Sequence, residues 1–465
     1  MDRAGTEFRG SDLAEWTGGT WFGSIPERIE GFAFDSRSLD AGALFIALSH
    51  GERDGHNFVE AAIEAGASAC MVERSLPVSI PQLVVPNALQ ALAECARAVR
   101  ARFTGPVVGV TGSCGKTSTK EMLQWVLGKE QCHATRANWN NHLGVPLSLL
   151  ELHAQGYAYS VIEAGISARG EMAYLSSMIR PNVAVFTNIG AAHLEGLGST
   201  EGVAEEKVQL LKAAEEGAWL LAPGAVLKRP AFALVRDRAI AVSARGESAS
   251  IDCEKNVEYE WMRVAPNQVR VSFDMVGQRM EYCLQTVSAG MVQNSVLAAV
   301  CGLRLGRDPV ELVAGMEAWR PANNRGVWTR AGQAWIYEDS YNANPTSMAD
   351  ALRAFQELAS SAERRLYLIG IMNELGCDAE EFHRAIGASV PYRKGDRLIF
   401  IGEDRLTEAY VRGAESAGWS DSELESFSSI EFCKEVLIDF SGAAFLKGSR
   451  SCKLECTIPP NSSQQ

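Results

Sequence analysis

The sequence predicts an α/β protein built from three domains, of which the central one has a doubly wound sheet. With 465 residues, the chain is too long to fold around one hydrophobic core. Short apolar runs of strand length alternate with helical patterns along most of the chain, which is typical of α/β folds. We expect a small N-terminal α/β domain at 1–104, the central domain at 105–321 and a C-terminal domain at 322–465.

Composition and charge exclude several classes of protein. The apolar fraction of 46% and the charged fraction of 22% are those of an ordinary globular protein. The formal net charge of −13 argues against a nucleic-acid partner, which would favour a basic face. The sequence shows neither a secretory signal pattern nor an apolar run long enough to span a membrane. We therefore expect a cytoplasmic protein whose 11 cysteines are reduced.

The N-terminal segment alternates short strands with one helix before its boundary. Strand patterns occur at 32–34, 43–48, 69–72 and 83–85, and a helical pattern occurs at 58–65. Ser36 and Arg37 follow the first strand, and they are either ligand contacts or part of a solvated loop. A longer helical pattern at 89–102 ends before Gly105 and Pro106, which mark the first domain boundary.

A phosphate-binding loop opens the central domain at 107–119, with the sequence VVGVTGSCGKTST. Gly112 and Gly115 let the backbone turn and present N–H groups to phosphate oxygens. Lys116 supplies a positive charge, and Thr117 offers a hydroxyl to Mg²⁺. The loop is not a full Walker pattern, because Val110 stands where a glycine would be required. The alternative is a chance strand, turn and helix. The pattern favours binding of ATP or a close relative.

Two side chains follow later strands of the central domain. A buried strand pattern at 159–162 leads into Glu163, and another at 183–186 opens into the loop that contains His193. In a doubly wound sheet the carboxyl ends of parallel strands face the ligand crevice. Glu163 is therefore a candidate Mg²⁺ ligand, with a surface acid as the alternative. His193 is a second candidate ligand, with a structural histidine as the alternative.

Lys207 lies on the apolar face of a predicted helix. The helix expected at 201–216 places Val203 and Leu210 on one face, and 3.6 residues per turn bring Lys207 to that face. The lysine either extends its amine to water or remains desolvated with a depressed pKa. A desolvated amine can react with CO₂ to give a carbamate that orients metal ions.

The rest of the central domain is expected to be β-rich before a closing helix. Alternating apolar residues at 269–275 and 280–284 predict a hairpin around Gly277. A helix at 294–305 closes the domain near Pro321.

The third domain begins near Arg325 and is expected to be Rossmann-like. A strand pattern at 333–337 leads into the polar segment EDSYNANP at 338–345. Helical patterns at 346–358, 378–388 and 404–417 alternate with strand patterns at 366–369, 398–401 and 443–446. The unit lacks GxGxxG, so a dinucleotide is not expected. Residues 457–465 are predicted to be a disordered tail.

These stretches together resemble the Mur ligase family over nearly the whole chain. The family-wide features are the phosphate loop at 111–117, the Glu163 strand end, the His193 loop and Lys207. Further motifs are similar to the branch that adds D-alanyl-D-alanine, namely NWNN at 138–141 with GVP at 144–146, DSYNANP at 339–345, MNELG at 372–376 and KGSR at 447–450.

The resemblance implies roles for the residues around the phosphates. The ATP phosphates would be held by the loop residues Thr111, Gly112, Ser113, Gly115, Lys116, Thr117 and Ser118. Thr117 and Glu163 would serve one Mg²⁺, and His193 and carbamylated Lys207 would serve a second. Lys116, Lys207 and His193 are therefore the candidate catalytic residues.

The resemblance also implies nucleotide and substrate contacts. The nucleotide contacts outside the loop would be Asn294 at the adenine, Arg325, Asp339 and Asn342. The substrate contacts would be Ser36 and Arg37 at the UDP group, together with Asn140, Asn141 and Asn344.

The sequence departs from the family pattern at three places. Cys114 replaces an asparagine of the loop, and Glu338 replaces the first aspartate of a pair. Gly290 and Met291 stand where histidine and asparagine are common, which weakens adenine recognition.

The implied activity is an ATP-dependent amide ligase of peptidoglycan precursor synthesis. It would add D-alanyl-D-alanine to UDP-N-acetylmuramoyl tripeptide through an acyl phosphate, as a monomer with ATP and Mg²⁺. One alternative is another amino-acid-adding Mur ligase or a folylpolyglutamate-synthase-type ligase, against which the segment at 342–345 argues. A second is a nucleotide-dependent switch or binding module, which would not need Lys207 on an apolar face.

Overall fold

The computed structural model describes residues 8–49, 51–153, 156–247, 251–275 and 277–459, and three sheets organise them. The sheets have five, nine and six strands within these ranges, and helices flank them. The predicted α/β class is confirmed. The fold prediction succeeded because apolar runs of strand length and helical patterns alternate so regularly.

The N-terminal sheet has the strand order β1-β5-β4-β3-β2, in which only the β1–β5 pair is antiparallel among the described residues. Its strands are β1 (Thr20–Phe22), β2 (Phe32–Ala33), β3 (Leu44–Ile46), β4 (Ala69–Val72) and β5 (Gln82–Val84). Its helices are α1 (Gly10–Thr17), α2 (Val59–Glu64) and α3 (Ala88–Arg102). Sequence patterns did not predict α1 or β1.

The central sheet has the order β14-β13-β12-β11-β10-β9-β6-β8-β7. Its strands are β6 (Val107–Thr111), β7 (Cys132–Ala134), β8 (Tyr159–Glu163), β9 (Val183–Phe186), β10 (Trp219–Pro223), β11 (Ala239–Ala244), β12 (Lys255–Ala265), β13 (Gln268–Met275) and β14 (Gln278–Gln285). Its helices are α4 (Lys116–Val126), α5 (Gly144–Leu150), α6 (Glu171–Ile179), α7 (Leu194–Leu197), α8 (Thr200–Lys207), α9 (Gly224–Leu227), α10 (Ala289–Arg304) and α11 (Pro309–Ala318). Strand β6 pairs in parallel with β8 and β9, so the carboxyl ends of all three strands meet at one edge.

Two predictions for the central domain have different outcomes. The hairpin is present, since β13 and β14 pair antiparallel on either side of Gly277. The helix predicted at 201–216 is too long, because α8 ends at Lys207 and a short 3₁₀ helix continues from Val208 to Leu211. The Ser176 hydroxyl donates to the Leu210 carbonyl at 2.8 Å and accepts from the Ala213 N–H at 3.0 Å. These side-chain hydrogen bonds replace helical ones at the point where the chain turns away.

The third sheet has the order β15-β16-β20-β17-β18-β19. Its strands are β15 (Val327–Ala331), β16 (Ala334–Asp339), β17 (Arg365–Gly370), β18 (Arg397–Ile401), β19 (Leu424–Phe427) and β20 (Gly442–Lys447). Its helices are α12 (Pro345–Leu358), α13 (Ala379–Ser389) and α14 (Asp404–Ser416). Strand β20 lies between β16 and β17, and its register places Lys447 opposite Asp339.

The end of the chain is ordered further than predicted. Leu454–Thr457 is a 3₁₀ helix, and both Leu454 and Thr457 are 1% exposed. The prediction therefore placed the start of the disordered tail too early at 457, because these side chains are buried in the third domain. Residues 460–465 lie outside the described residues. None of the described helices is both long and apolar enough to cross a membrane.

Candidate active site

The phosphate loop joins β6 to α4, and two glycines allow its close packing. Gly115 has a φ angle of 78°, which residues with side chains rarely adopt. A Cβ atom there would lie 2.4 Å from Asn294 Nδ2, and one on Gly112 would lie 1.9 Å from Thr187 Oγ1. Val110 is fully buried inside β6. The strand thus continues through the position at which a Walker loop would require glycine.

Asn188, which sequence reasoning did not identify, holds the loop in place. Its Oδ1 accepts from the N–H groups of Ser113 at 3.0 Å and Cys114 at 2.9 Å. Its Nδ2 donates to Cys114 Sγ at 2.6 Å. The available signal was its position just beyond β9, at the same sheet edge as Glu163. Two loop N–H groups therefore already have protein acceptors, which leaves the N–H groups in the first turn of α4 as the candidates for binding an anion.

Lys116, Thr117 and Ser118 begin α4 and line a cavity of about 780 Å³ between the central and third domains. Lys116 Nζ donates to the Gly112 carbonyl at 2.8 Å. Burial lowers the pKa of Lys116, whereas the nearby Glu163 carboxylate raises it. The amino end of a helix and a lysine together favour a polyphosphate ligand.

Glu163 ends β8 and is 1% exposed. Its Oε1 accepts from Asn140 Nδ2 at 2.7 Å, and its Oε2 is buried with no hydrogen-bond partner among the described residues. An unpaired buried carboxylate oxygen is costly, and a cation would satisfy it. Asn140, Asn141 and Glu163 all line the cavity.

Lys207 is fully buried at the end of α8. Among the residues that the structure describes, Nζ has no hydrogen-bond partner. Burial lowers the pKa of Lys207 well below its ordinary value, the charge on Lys116 lowers it further, and Glu206 opposes the shift. In the solvated alternative the amine would extend to water. The buried amine of Lys207 does not. A neutral amine is the form that can react with CO₂.

His193 lines the cavity and contacts the third domain. Its φ angle of 55° is left-handed. Nδ1 lies against Glu374 Oε2, and the neighbouring imidazole lowers the pKa of Glu374. The N–H of Glu195 also donates to the Glu374 carbonyl at 3.4 Å. Because a carboxylate holds Nδ1, Nε2 is the nitrogen that could bind a metal.

The third domain brings a charged pair and an amide to the same cavity. Lys447 is 1% exposed, and its Nζ donates to Asp339 Oδ2 at 2.5 Å and to the Asn342 carbonyl at 3.1 Å. Asn344 caps α12 through the Ser347 N–H, and its Nδ2 donates to the Ser113 carbonyl at 3.3 Å. The third domain therefore contacts the phosphate loop directly.

Two further nucleotide candidates lie at this cavity. The Arg325 guanidinium is 3.7 Å from the centre of the Tyr341 ring, a cation–π contact. Asn294 on α10 is 7% exposed and packs against Gly115. Both Arg325 and Asn294 line the cavity.

Ser36 and Arg37 lie elsewhere, in a 3₁₀ turn of the N-terminal domain. The Arg37 side chain is 83% exposed, and its Nε and Nη2 donate to Asp35 at 2.9 Å and 2.6 Å. These hydrogen bonds lower the pKa of Asp35 to about 2. The structure does not bring Ser36 and Arg37 to the cavity lining.

Four other residues singled out from the sequence are also absent from that lining, namely Thr111, Gly112, Lys207 and Glu338. The Thr111 hydroxyl donates to the Ala164 carbonyl at 2.8 Å. Glu338 accepts from the Ser340 hydroxyl at 3.1 Å, and burial raises its pKa.

The donor set fits a hard divalent cation that also binds phosphate. Throughout the described part of the chain, no cluster of three or more His, Cys, Asp or Glu side chains could hold a metal alone. Thr117 and Glu163 supply oxygen donors at the cavity. A bound cation would satisfy Glu163 Oε2, which has no hydrogen-bond partner among the described residues. Mg²⁺ is usually bound by one or two protein carboxylates with phosphate and water completing its shell.

Three segments of the chain match Mur ligase families. Residues 28–103 match the family described as Mur ligase family, catalytic domain. Residues 110–302 match the Mur ligase middle domain, and residues 325–438 match the Mur ligase, glutamate ligase domain.

Individual relatives agree with these matches. The UDP-N-acetylmuramoyl-tripeptide–D-alanyl-D-alanine ligase of Bacillus subtilis is 33% identical over 402 residues, which cover 84% of each chain. A crystal structure of MurF from Acinetobacter baumannii superposes with a TM-score of 0.85 at 27% identity and covers 98% of each chain. MurF ligase from Thermotoga maritima in complex with ADP shares the fold, with a TM-score of 0.77, 24% identity and coverage of 92% and 96%.

Proposed function

This chain belongs to the Mur ligase family, and we propose that it is an ATP-dependent ligase that joins D-alanyl-D-alanine to UDP-N-acetylmuramoyl tripeptide. The relatives that cover most of the chain carry this activity in their names. The observation that carries the assignment is the cavity itself. It joins a phosphate loop to third-domain side chains, and it contains a buried carboxylate oxygen that has no hydrogen-bond partner in the described part of the chain.

The reaction has two steps. A substrate carboxylate oxygen attacks the γ-phosphorus of ATP, which forms an acyl phosphate and releases ADP. The D-alanyl-D-alanine amine then attacks the acyl carbon, the amide bond forms, and inorganic phosphate leaves as the amine loses a proton. Lys116 and the amino end of α4 offset charge on the transferring phosphoryl group, which is electrostatic catalysis. The contact between Asn344 and Ser113 helps to exclude water from the acyl phosphate.

Mg²⁺ is the metal that we propose for the site. Thr117 and Glu163 would hold one ion, and His193 with a carbamate on Lys207 would serve a second. When bound, Mg²⁺ would neutralise charge on the phosphate oxygens. The buried amine of Lys207, which has no hydrogen-bond partner among the described residues, supports the carbamate, and the contact with Glu374 supports a fixed His193 imidazole whose Nε2 could bind a metal.

We assign the three domains to three substrates. Residues 1–104, with Ser36 and Arg37, would bind the UDP group, and residues 105–321 would bind ATP. Residues 322–465 would receive the incoming dipeptide, with Asn344 as a contact. Asn140 donates to Glu163, and Asn141 lines the same cavity, in which the substrate carboxylate would approach the γ-phosphate. We propose that the protein is a monomer. We also propose that it is cytoplasmic, since ATP and UDP-linked precursors are available in the cytoplasm.

Phosphate release tests the proposed function. Release from ATP should require both UDP-N-acetylmuramoyl tripeptide and D-alanyl-D-alanine, and the pentapeptide product should form in equal amount. Tripeptides that differ only at the third residue would identify the preferred substrate. Phosphate release without either substrate would instead favour a nucleotide-dependent switch. Release with glutamate and a folate acceptor would favour the folylpolyglutamate-synthase-type alternative.

A further inference from the structure

A carboxylate of the third domain binds the amino end of a central-domain helix. The Gly290 N–H, in the first turn of α10, donates to Asp350 Oδ1 at 3.2 Å and to Oδ2 at 3.3 Å. Asp350 belongs to α12. The first N–H groups of a helix have no partner within the helix, and the positive end of the helix dipole favours an anion. Asp350 therefore supplies, from another domain, a hydrogen-bond acceptor and a negative charge to the amino end of α10. A capping side chain supplies such an acceptor from within the same segment.

The contact depends on glycine at 290. A Cβ atom at this position would lie 2.8 Å from Asp350 Oδ2 and 3.4 Å from its Cγ. Any other residue would push the carboxylate away from the N–H group. The departure from the family pattern at 290 thus has a structural consequence, because it makes room for the Asp350 side chain.

The contact lies at the nucleotide end of the cavity, which we define as residues 288–294 of α10 and its cap. Ser288, Gly290 and Asn294 line the cavity together with Asp350. Burial raises the pKa of the Asp350 carboxyl. Gly290 and Asn294 are four residues apart and share a helix face. We therefore expect a displacement of Asp350 to change the position of Asn294.

The same helix α12 makes a second, different contact with the central domain. Glu357 Oε2 lies 3.1 Å from Arg263 Nη2, and the Glu357 side chain is 61% exposed. An exposed ion pair contributes little to docking. Asp350 is 22% exposed at the side chain and accepts from the Gly290 N–H. The chain thus offers a matched control on one helix.

We propose that Asp350 is a positioning residue that docks the third domain on the amino end of α10 and so shapes the nucleotide end of the cavity. The kinetic part of this inference rests on the proposed function, because it uses ATP as the ligand. The contact itself does not rest on it.

Steady-state kinetics and hydrogen exchange test the contact. Asp350→Ala should raise the KM for ATP about tenfold, the scale of a lost hydrogen bond to a charged group, and leave the KM values for the other two substrates within about twofold. Asp350→Asn should have a smaller effect, since its amide oxygen can still accept. Without substrates, amide exchange of the peptide that contains Gly290 should be about tenfold faster in Asp350→Ala than in the unaltered protein.

The pair Gly290→Ala and Asp350→Ala tests the steric coupling. Gly290→Ala should raise the KM for ATP in the unaltered protein but not in Asp350→Ala, where the added Cβ has space. Glu357→Gln should leave all KM values unchanged. The inference is overturned if the effects of Gly290→Ala and Asp350→Ala are additive, or if Glu357→Gln matches Asp350→Ala. If ligation is absent in the unaltered protein but the exchange difference holds, the proposed function fails and the contact stands.

Discussion

The central and third domains each present strand ends to the cavity, and their buried charges differ in partners. At the third-domain edge, Lys447 donates to Asp339 and to the Asn342 carbonyl. In the central domain, neither Glu163 Oε2, at the end of β8, nor Lys207 Nζ, at the end of α8 and behind the cavity lining, has a hydrogen-bond partner in the described ranges. Both lysines are at most 1% exposed, so burial alone does not distinguish them.

The difference indicates which edge is a scaffold and which is a ligand site. A buried polar group without a partner costs about 1–3 kcal/mol, so a fold that retains one gains nothing in stability from it. The paired third-domain edge should therefore contribute to folding, while the unpaired central edge should contribute to ligand binding. Substitutions at the two edges should separate these contributions.

The largest loss of activity is expected for Lys116→Ala at the central edge. Removing a charge that offsets the transferring phosphoryl group should lower the rate of ligation by about 10³-fold. The free energy of unfolding should change little, since the only polar partner of Nζ that the structure gives is the Gly112 carbonyl. Phosphate release and denaturant unfolding measure the two quantities. Turnover near that of the unaltered protein would remove the loop from the active site.

Lys207 should show the next largest effect. Lys207→Arg places a permanent positive charge at this position and cannot form a carbamate, so activity should fall by about 10²-fold, the upper range for groups around a metal. Lys207→Ala should lose as much activity, and a small carboxylic acid should restore part of it. Lys207→Met should not lower the free energy of unfolding, because the amine has no partner.

A spectroscopic measurement makes the Lys207 prediction independent of activity. With ¹³C-labelled bicarbonate, the unaltered protein should give a carbamate resonance that Lys207→Arg lacks. Lys212→Arg, at an exposed position nearby, is the control and should retain both activity and resonance. Full activity in Lys207→Arg would exclude the carbamate.

Lys447→Met should have the opposite pattern to Lys207→Met. It removes the partner of the Asp339 carboxylate and should lower the free energy of unfolding by about 2 kcal/mol, the scale of a hydrogen bond to a charged group. Denaturant unfolding of the two methionine variants under the same conditions compares them directly. Equal destabilisation by both would contradict the distinction between the two edges.

Much of the central edge was predictable from sequence because strand ends converge by topology. A polar residue after an apolar run, such as Glu163, can be placed at the crevice once the strands are taken as parallel. Helical periodicity also placed Lys207 on an apolar face, although the helix ends sooner than expected. Asn188 carried the same strand-end signal, but its side chain acts on the loop backbone, which no spacing encodes.

Contacts between residues far apart in the sequence could not be predicted in this way. The pairing of Asp339 with Lys447 depends on the insertion of β20 beside β16, across 108 residues of sequence. Asp350 lies on a helix with ordinary amphipathic periodicity, and only the docking of α12 on α10 gives it a role. Local patterns specify elements and their faces, whereas the first contact depends on the strand order of a sheet and the second on how two domains pack.

The smallest effect is expected far from both edges, at Arg37 of the N-terminal domain. Its side chain is 83% exposed and paired with Asp35, so Arg37→Ala should change the free energy of unfolding by less than about 0.5 kcal/mol. If Arg37 binds the UDP group, the KM for UDP-N-acetylmuramoyl tripeptide should rise about fivefold, the equivalent of roughly 1 kcal/mol, with kcat unchanged. Arg28→Ala is the matched control, because Arg28 is an exposed arginine of the same domain that lies 3.2 Å from Glu30. Initial rates at saturating ATP and D-alanyl-D-alanine measure both variants. Equal KM values for the two variants would place Arg37 outside the substrate site, while a change in kcat would mean that it acts beyond binding of the UDP group.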